Sequence, residues 1–225
     1  MRLQSGLQVE AAPVTRPAQE MVVVSPRWRL PGIPLALTAI LAAFVLVPPV
    51  RDNPRLVWSL LGVSAGLLLW ELALAVVARR RGMAFRLEYV PVRAHWVQAL
   101  VQMGIMVYWG WFWRDVYAEM PLMLAQLVFF YALDALLAWS RGRVWRLGFG
   151  PMPIVISTNL LLWFRHDWYF LQFAMLAVGA LAKQFITWER DGRRSHIFNP
   201  SAFGQFVFAV VLIATGTTKE LTVGK

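Results

Sequence analysis

Arg193-Arg194-Ser195-His196-Ile197-Phe198-Asn199-Pro200-Ser201-Ala202-Phe203-Gly204 carries the chain from a basic, turn-forming run into an apolar helix within a few residues. Asn199 is a favoured helix N-cap. Pro200 suits the first helical position, where its fixed φ fits and its missing N–H is not needed. Ser201 adds a hydroxyl in the first turn. The helix start lies beside Arg190, Arg193, Arg194 and His196. Such a start suits either a plain cap with loop charges or an anion, including a phosphate or a flavin edge. The same alternation of basic connection and apolar run recurs along the whole chain, and it points to an all-α, polytopic transmembrane bundle.

Composition supports that class. Of the 225 residues, 59% are hydrophobic and only 15% are charged, where soluble domains carry about a quarter. Several apolar runs approach the roughly twenty residues needed to cross about 30 Å of hydrocarbon. Seven spans are expected: Ile33–Val50, Leu56–Ala78, His95–Trp113, Met120–Trp139, Phe149–Phe164, Trp168–Thr187 and Pro200–Thr215. The fifth opens with Gly150-Pro151-Met152-Pro153 and holds Ser157, Thr158 and Asn159, so it suits a full helix or a broken, re-entrant one packed inside protein. The expected organisation is a cytoplasmic segment over residues 1–30, a transmembrane domain over 31–217 and an outer tail over 218–225.

Charge placement sets an orientation. Arg79, Arg80, Arg81, Arg86 and Arg93 fall between the second and third spans, Arg141, Arg143 and Arg146 after the fourth, and Arg190, Arg193 and Arg194 after the sixth. The alternate connections carry only Arg51 and Arg55, then Arg114, then Arg165. The positive-inside rule then puts the N-terminus in the cytoplasm and the C-terminus outside a bacterial inner membrane. A net charge of +10 arranged this way speaks for a lipid bilayer, not for nucleic acid. Met1 to Leu30 does not match a signal peptide, because Glu10 and Glu20 interrupt it and Met21-Val22-Val23-Val24 is too short for an apolar core. Trp28, Trp96, Trp139, Trp145 and Trp188 are expected at the inner interface. Trp58, Trp109, Trp111, Trp113, Trp163 and Trp168 are expected at the outer one.

The chain has no cysteine, which leaves no thiolate for an iron–sulfur cluster and no c-type haem attachment. His95 and His196 lie at the inner edge and His166 at the outer edge, so no haem is expected either. Glu71, Asp134 and Lys183 lie inside predicted spans, each roughly 6–11 Å from the cytoplasmic end at about 1.5 Å per residue. A charge at mid-membrane costs about 2.5–3.5 kcal/mol on insertion scales, so this layer needs a reason. An interhelical ion pair of Lys183 with Asp134 or Glu71, snorkelling of Lys183, and a half-channel for a proton or sodium ion relayed by Glu71 all remain open.

His196 to Gly204, with Lys183-Gln184-Phe185-Ile186 ahead of it, resembles the Phe-Asn-Pro-Ala signature of the NqrB/RnfD family, membrane subunits of the sodium-translocating NADH:quinone reductase and of the Rnf complex. The stretch looks closest to the stand-alone UnbU-like branch found in enediyne clusters. The resemblance implies electron transport through FMN or riboflavin, coupling to Na+ or H+ movement, partner subunits of a membrane redox complex, and a quinone or small redox carrier. The chain is then at most a subunit of a membrane oxidoreductase. It implies cofactor roles for His196, Asn199, Pro200 and Ser201. Better-known members attach FMN to a Thr in Ser-Gly-Ala-Thr on the outer side; the similar string here is Thr215-Gly216-Thr217-Thr218, which makes Thr218 the matching position. Larger members continue through further helices. Two rival readings are a scaffold or assembly subunit that has lost the flavin, and a small ion or solute transporter.

Overall fold

A computed structural model describes residues 22–24, 31–161, 163–164, 168–190, 193–218 and 221–222. The expected cytoplasmic segment therefore lies largely outside the described residues, as do Trp28, the outer turn Arg165-His166-Asp167 and most of the tail. The described chain is mostly helical. Its helices are α1 (Gly32–Ala43), α2 (Pro48–Arg51), α3 (Pro54–Arg81), α4 (Arg93–Phe112), α5 (Asp115–Ala118), α6 (Met120–Ser140), α7 (Pro151–Leu161), α8 (Tyr169–Phe185) and α9 (Pro200–Ala214). α3 and α6 are long and apolar enough to cross a membrane; α1 with its extension, α7, α8 and α9 are shorter apolar helices.

Local chemistry explains where these helices start and stop. Asn53 caps α3, its Oδ1 accepting from Leu56 N at 3.2 Å, and Pro54 follows at the first helical position. Arg79, Arg80 and Arg81 occupy the last turn of α3, where cations complement the helix dipole. Gly82 ends it with φ of 65°, a conformation that favours glycine. The first expected span is not one helix. α1 ends at Ala43, a 3₁₀ turn covers Phe44–Leu46, and α2 begins at Pro48. Pro48 has no N–H to continue the ladder and holds Val47 extended at φ −71°, ψ 125°. α7 covers only 11 residues, about 16 Å at the usual rise, roughly half a bilayer core.

α6 is the central helix. α1, α3, α7 and α8 pack on it, α9 packs on α8 and α7, and α4 packs on α7. Leu41, Leu60, Phe130, Leu136 and Phe173 lie at the centre of the main core. Inside it, Gln126 of α6 donates to Gln172 of α8 at 2.6 Å, and Asn159 of α7 donates to Gln126 at 2.6 Å. These amides join three helices with no lone polar group between them. The outward faces are apolar: Trp58 and Leu69 on α3, Val107, Tyr108, Trp111 and Phe112 on α4, and Phe206 and Ile213 on α9 are largely exposed.

The connections are not all irregular, which departs from a purely α expectation. β1 (Val22–Val24) pairs antiparallel with β2 (Arg86–Tyr89), and β2 pairs parallel with β3 (Val144–Leu147). Three segments expected on one side of the bundle are thereby drawn into one sheet. β4 (Trp163–Phe164) pairs with β7 (Leu221–Thr222), joining two segments expected on the other side. β5 (Thr187–Arg190) and β6 (Arg193–His196) form a hairpin between α8 and α9. The sheets also revise the tryptophan expectation. Trp58, Trp96, Trp111 and Trp188 are exposed, as an interfacial belt requires, but Trp139 and Trp145 are buried in the core. Phe85 packs edge-on against Trp139 at 6.2 Å and tilted against Trp145 at 6.1 Å. Sequence position sets the depth of a tryptophan along a helix, not whether lipid or protein faces it.

Candidate functional site

The β5–β6 hairpin delivers the Asn-Pro junction to a defined place. Its register pairs Thr187 with His196, and Ile197 N donates to Ile186 O at 3.2 Å. This folds the α9 entry back against the end of α8. Asn199 then caps α9 as its sequence implies: Oδ1 accepts from Ser201 N at 3.1 Å and from Ser201 Oγ at 2.8 Å. Ser157 of α7 donates to Ser201 Oγ at 3.1 Å, and Gln205 Nε2 reaches the Thr158 carbonyl at 3.3 Å. α9 is thus held to α7 through the polar residues that set the fifth span apart. It is held to α8 by close backbone approach. A Cβ on Gly204 would stand 2.7 Å from Met175 O, and one on Gly179 would stand 2.9 Å from Pro200 O.

A cavity of about 330 Å³ opens at this junction. His196, Phe198, Asn199 and Pro200 line the cavity with His95 and Gln98 from the first turns of α4, Gly150 from the turn before α7, Pro153 and Ser157 from α7, and Lys183 from α8. The starts of α4, α7 and α9 therefore converge on one space, each contributing the positive end of a helix dipole. A second cavity, about 350 Å³, shares Lys183 and His196 with the first and is lined also by Asp134, Arg143, Trp145, Arg146 and Thr187.

An ion pair joins Lys183, which lines both cavities, to Asp134, which lines the second. Lys183 Nζ is 2.9 Å from Asp134 Oδ2, with the two side chains 19% and 4% exposed. Trp145 Nε1 also donates to Oδ2 at 3.2 Å, and Gln184 Nε2 donates to Oδ1 at 3.1 Å. Three donors on one carboxylate satisfy both oxygens, the condition under which a buried pair holds its geometry. Lys183 Nζ also lies 5.8 Å from the Phe130 ring centre. His196, although open at the mouth, has part of its hydration removed. That loss, then the Lys183 charge, holds its pKa below the ordinary imidazole value, against a hydrogen bond to the Lys183 backbone.

Of the residues singled out in the sequence, His196, Asn199, Pro200, Ser201, Lys183 and Asp134 come together here. Two do not. Glu71 is hydrogen-bonded to Thr38 of α1, at 2.7 Å, and forms no part of either cavity wall. Thr218 is exposed beyond the far end of α9, one 15-residue helix away from the junction, about 22 Å along the axis. The α4 start, Gly150 and Trp145 enter the site only through the tertiary fold. A signal that could have found them is the pre-helical Gly150-Pro151, a second proline-led helix start that the fold brings to the same cavity. Set beside models of known protein families, curated proteins and solved structures, the chain matches none of them.

Proposed function

We propose that this chain is a multi-pass protein of the bacterial inner membrane, and that it serves as a flavin-linked electron-transport subunit of the NqrB/RnfD type. The basic connections support seven apolar segments with the N-terminus cytoplasmic and the C-terminus outside, and the outward apolar faces of α3, α4 and α9 support a lipid surround. Large exposed apolar side chains on three helices are what a lipid or partner surface calls for.

The observation that carries the reading is the cavity at the Asn199-capped start of α9. Its volume falls in the range of small-molecule sites, about 300–1,000 Å³. Its lining matches what a flavin needs: an aromatic ring at Phe198, a cation at Lys183, imidazoles at His95 and His196, and helix starts that favour a phosphate. A bound flavin supplies the electron transfer. The residues around it set its position and the charge beside it. An apolar cavity of about 380 Å³, lined by Trp96, Leu100, Met103, Phe149 and Met152, opens beside the same helix starts and suits a quinone or another apolar carrier. Coupling to Na+ or H+ and docking to partner subunits belong to the same proposal.

The test needs only the purified full chain. Acid precipitation should release flavin into the supernatant, since Thr218 lies far from the cavity. Flavin in the pellet instead would mean covalent attachment, with Thr218 the position to test by peptide mapping. Flavin in neither fraction would replace this reading with a scaffold that has lost the cofactor.

A further inference from the structure

Glu71 lies on the inward face of α3, in line with Leu60, Ser64, Leu67 and Leu74, and is 1% exposed. Oε1 accepts from the Thr38 hydroxyl. Oε2 has no hydrogen-bond partner among the described residues. Among the described residues, the elements packed against α3 offer no counter-ion. α1 contains no titratable residue. Arg51 of α2 is engaged with Asp52 at an exposed position. On α6, Asp134 is taken by Lys183 and the Tyr131 hydroxyl donates to the Gly148 carbonyl. On α8, Lys183 is committed to Asp134, and the Tyr169 hydroxyl accepts from Asn53. An ionised Glu71 would leave a bare charge against an apolar wall, the costliest state a buried polar group can have.

We propose that Glu71 is a proton-binding site: at neutral pH it is a carboxylic acid, with Thr38 donating to its carbonyl oxygen Oε1 and the proton on Oε2. The ligand is a proton and not a metal cation. Hard cations gather about six oxygens, whereas here the carboxyl meets one hydroxyl. The other buried hydroxyl on this face, Ser64, lies two turns away, about 10 Å along α3. The two in-span carboxyls therefore carry different charge, Asp134 ionised within its pair and Glu71 neutral. This holds whether or not a flavin occupies the cavity.

Infrared spectra of the full chain in detergent at neutral pH test it. The carbonyl band of a protonated carboxyl, shifting on transfer to D2O, should be lost in Glu71→Gln and kept in Asp134→Asn. A second measurement needs no variant. Dicyclohexylcarbodiimide should label the Glu71 peptide of the native protein: the carboxyl proton passes to a carbodiimide nitrogen, the carboxyl oxygen adds to its carbon, and the adduct rearranges to an N-acylurea with nothing leaving. Mass spectrometry locates the added mass. Labelling of Glu71 with loss of the band in Glu71→Gln supports the proposal. A band unchanged in Glu71→Gln, or an unlabelled Glu71 peptide, overturns it.

Discussion

At the scale of single residues, Asp134 and Lys183 show how a charge buried among apolar helices is made tolerable. The carboxylate collects Lys183, Trp145 and Gln184, so removing one partner strands the other. Lys183→Ala should destabilise the protein by about 3–5 kcal/mol, and Asp134→Ala by a similar amount. The double variant should cost well under their sum. Thermal unfolding in detergent measures all three, and full additivity would contradict the pairing. Nothing in one dimension chooses between Asp134 and Glu71 as the partner of Lys183, because the three residues share one depth. The choice is made by α6 and α8 lying against each other while α3 turns Glu71 toward α1. His196 carries the pH prediction. Its folded pKa lies below its unfolded value of about 6.5, so its contribution to stability is present above that value and is lost as pH falls through the folded one. An imidazole NMR titration should give a midpoint below 6.5, and Gln at this position should flatten the acid limb of stability.

At the scale of elements, the α8–α9 contact places the site. Gly179 and Gly204 let the two backbones approach, as small residues do between membrane helices. Gly204→Val would drive its side chain into the Met175 carbonyl, which has no rotamer by which to yield. The expected cost is about 1–3 kcal/mol, with α9 displaced from the cavity. Gly104→Ala on α4 meets open space and should be neutral or mildly stabilising, as a helical glycine replaced by alanine usually is. Comparison of melting temperatures separates the two. The Asn199 cap was legible in the sequence because Asn-Pro is a local signal, whereas the expected span Leu56–Ala78 stopped short of the Asn53-capped start and the Arg-rich last turn of α3. The break after Ala43 was not legible, since averaging hydropathy over Ile33–Val50 hides Pro48 and Pro49. The burial of Trp139 and Trp145 was hidden for a different reason. It depends on β2 and β3 pairing across more than fifty residues of chain.

At the scale of the whole molecule, one sheet gathers residues 22–24, 86–89 and 144–147, and the β4–β7 pair joins two of the segments expected opposite. The chain has no cysteine, so single introduced thiols report sidedness cleanly. In intact cells a membrane-impermeant maleimide should label Asp52→Cys and spare Arg80→Cys; the reverse would invert the topology. The mostly helical, apolar character is legible in composition, and the alternation of sides is the expectation that the basic connections raise and this labelling tests. The convergence of three helix starts on one cavity depends on tertiary packing, which one-dimensional periodicity does not carry. That convergence is the centre of the functional account, and FMN binding tests it most directly. Titrating FMN into flavin-stripped protein should quench its fluorescence saturably in the native chain. The same titration should fail in Gly150→Leu, whose side chain would grow from a cavity wall 3.4 Å from the His95 ring. No quenching in the native chain, or equal binding in the variant, would contradict the account.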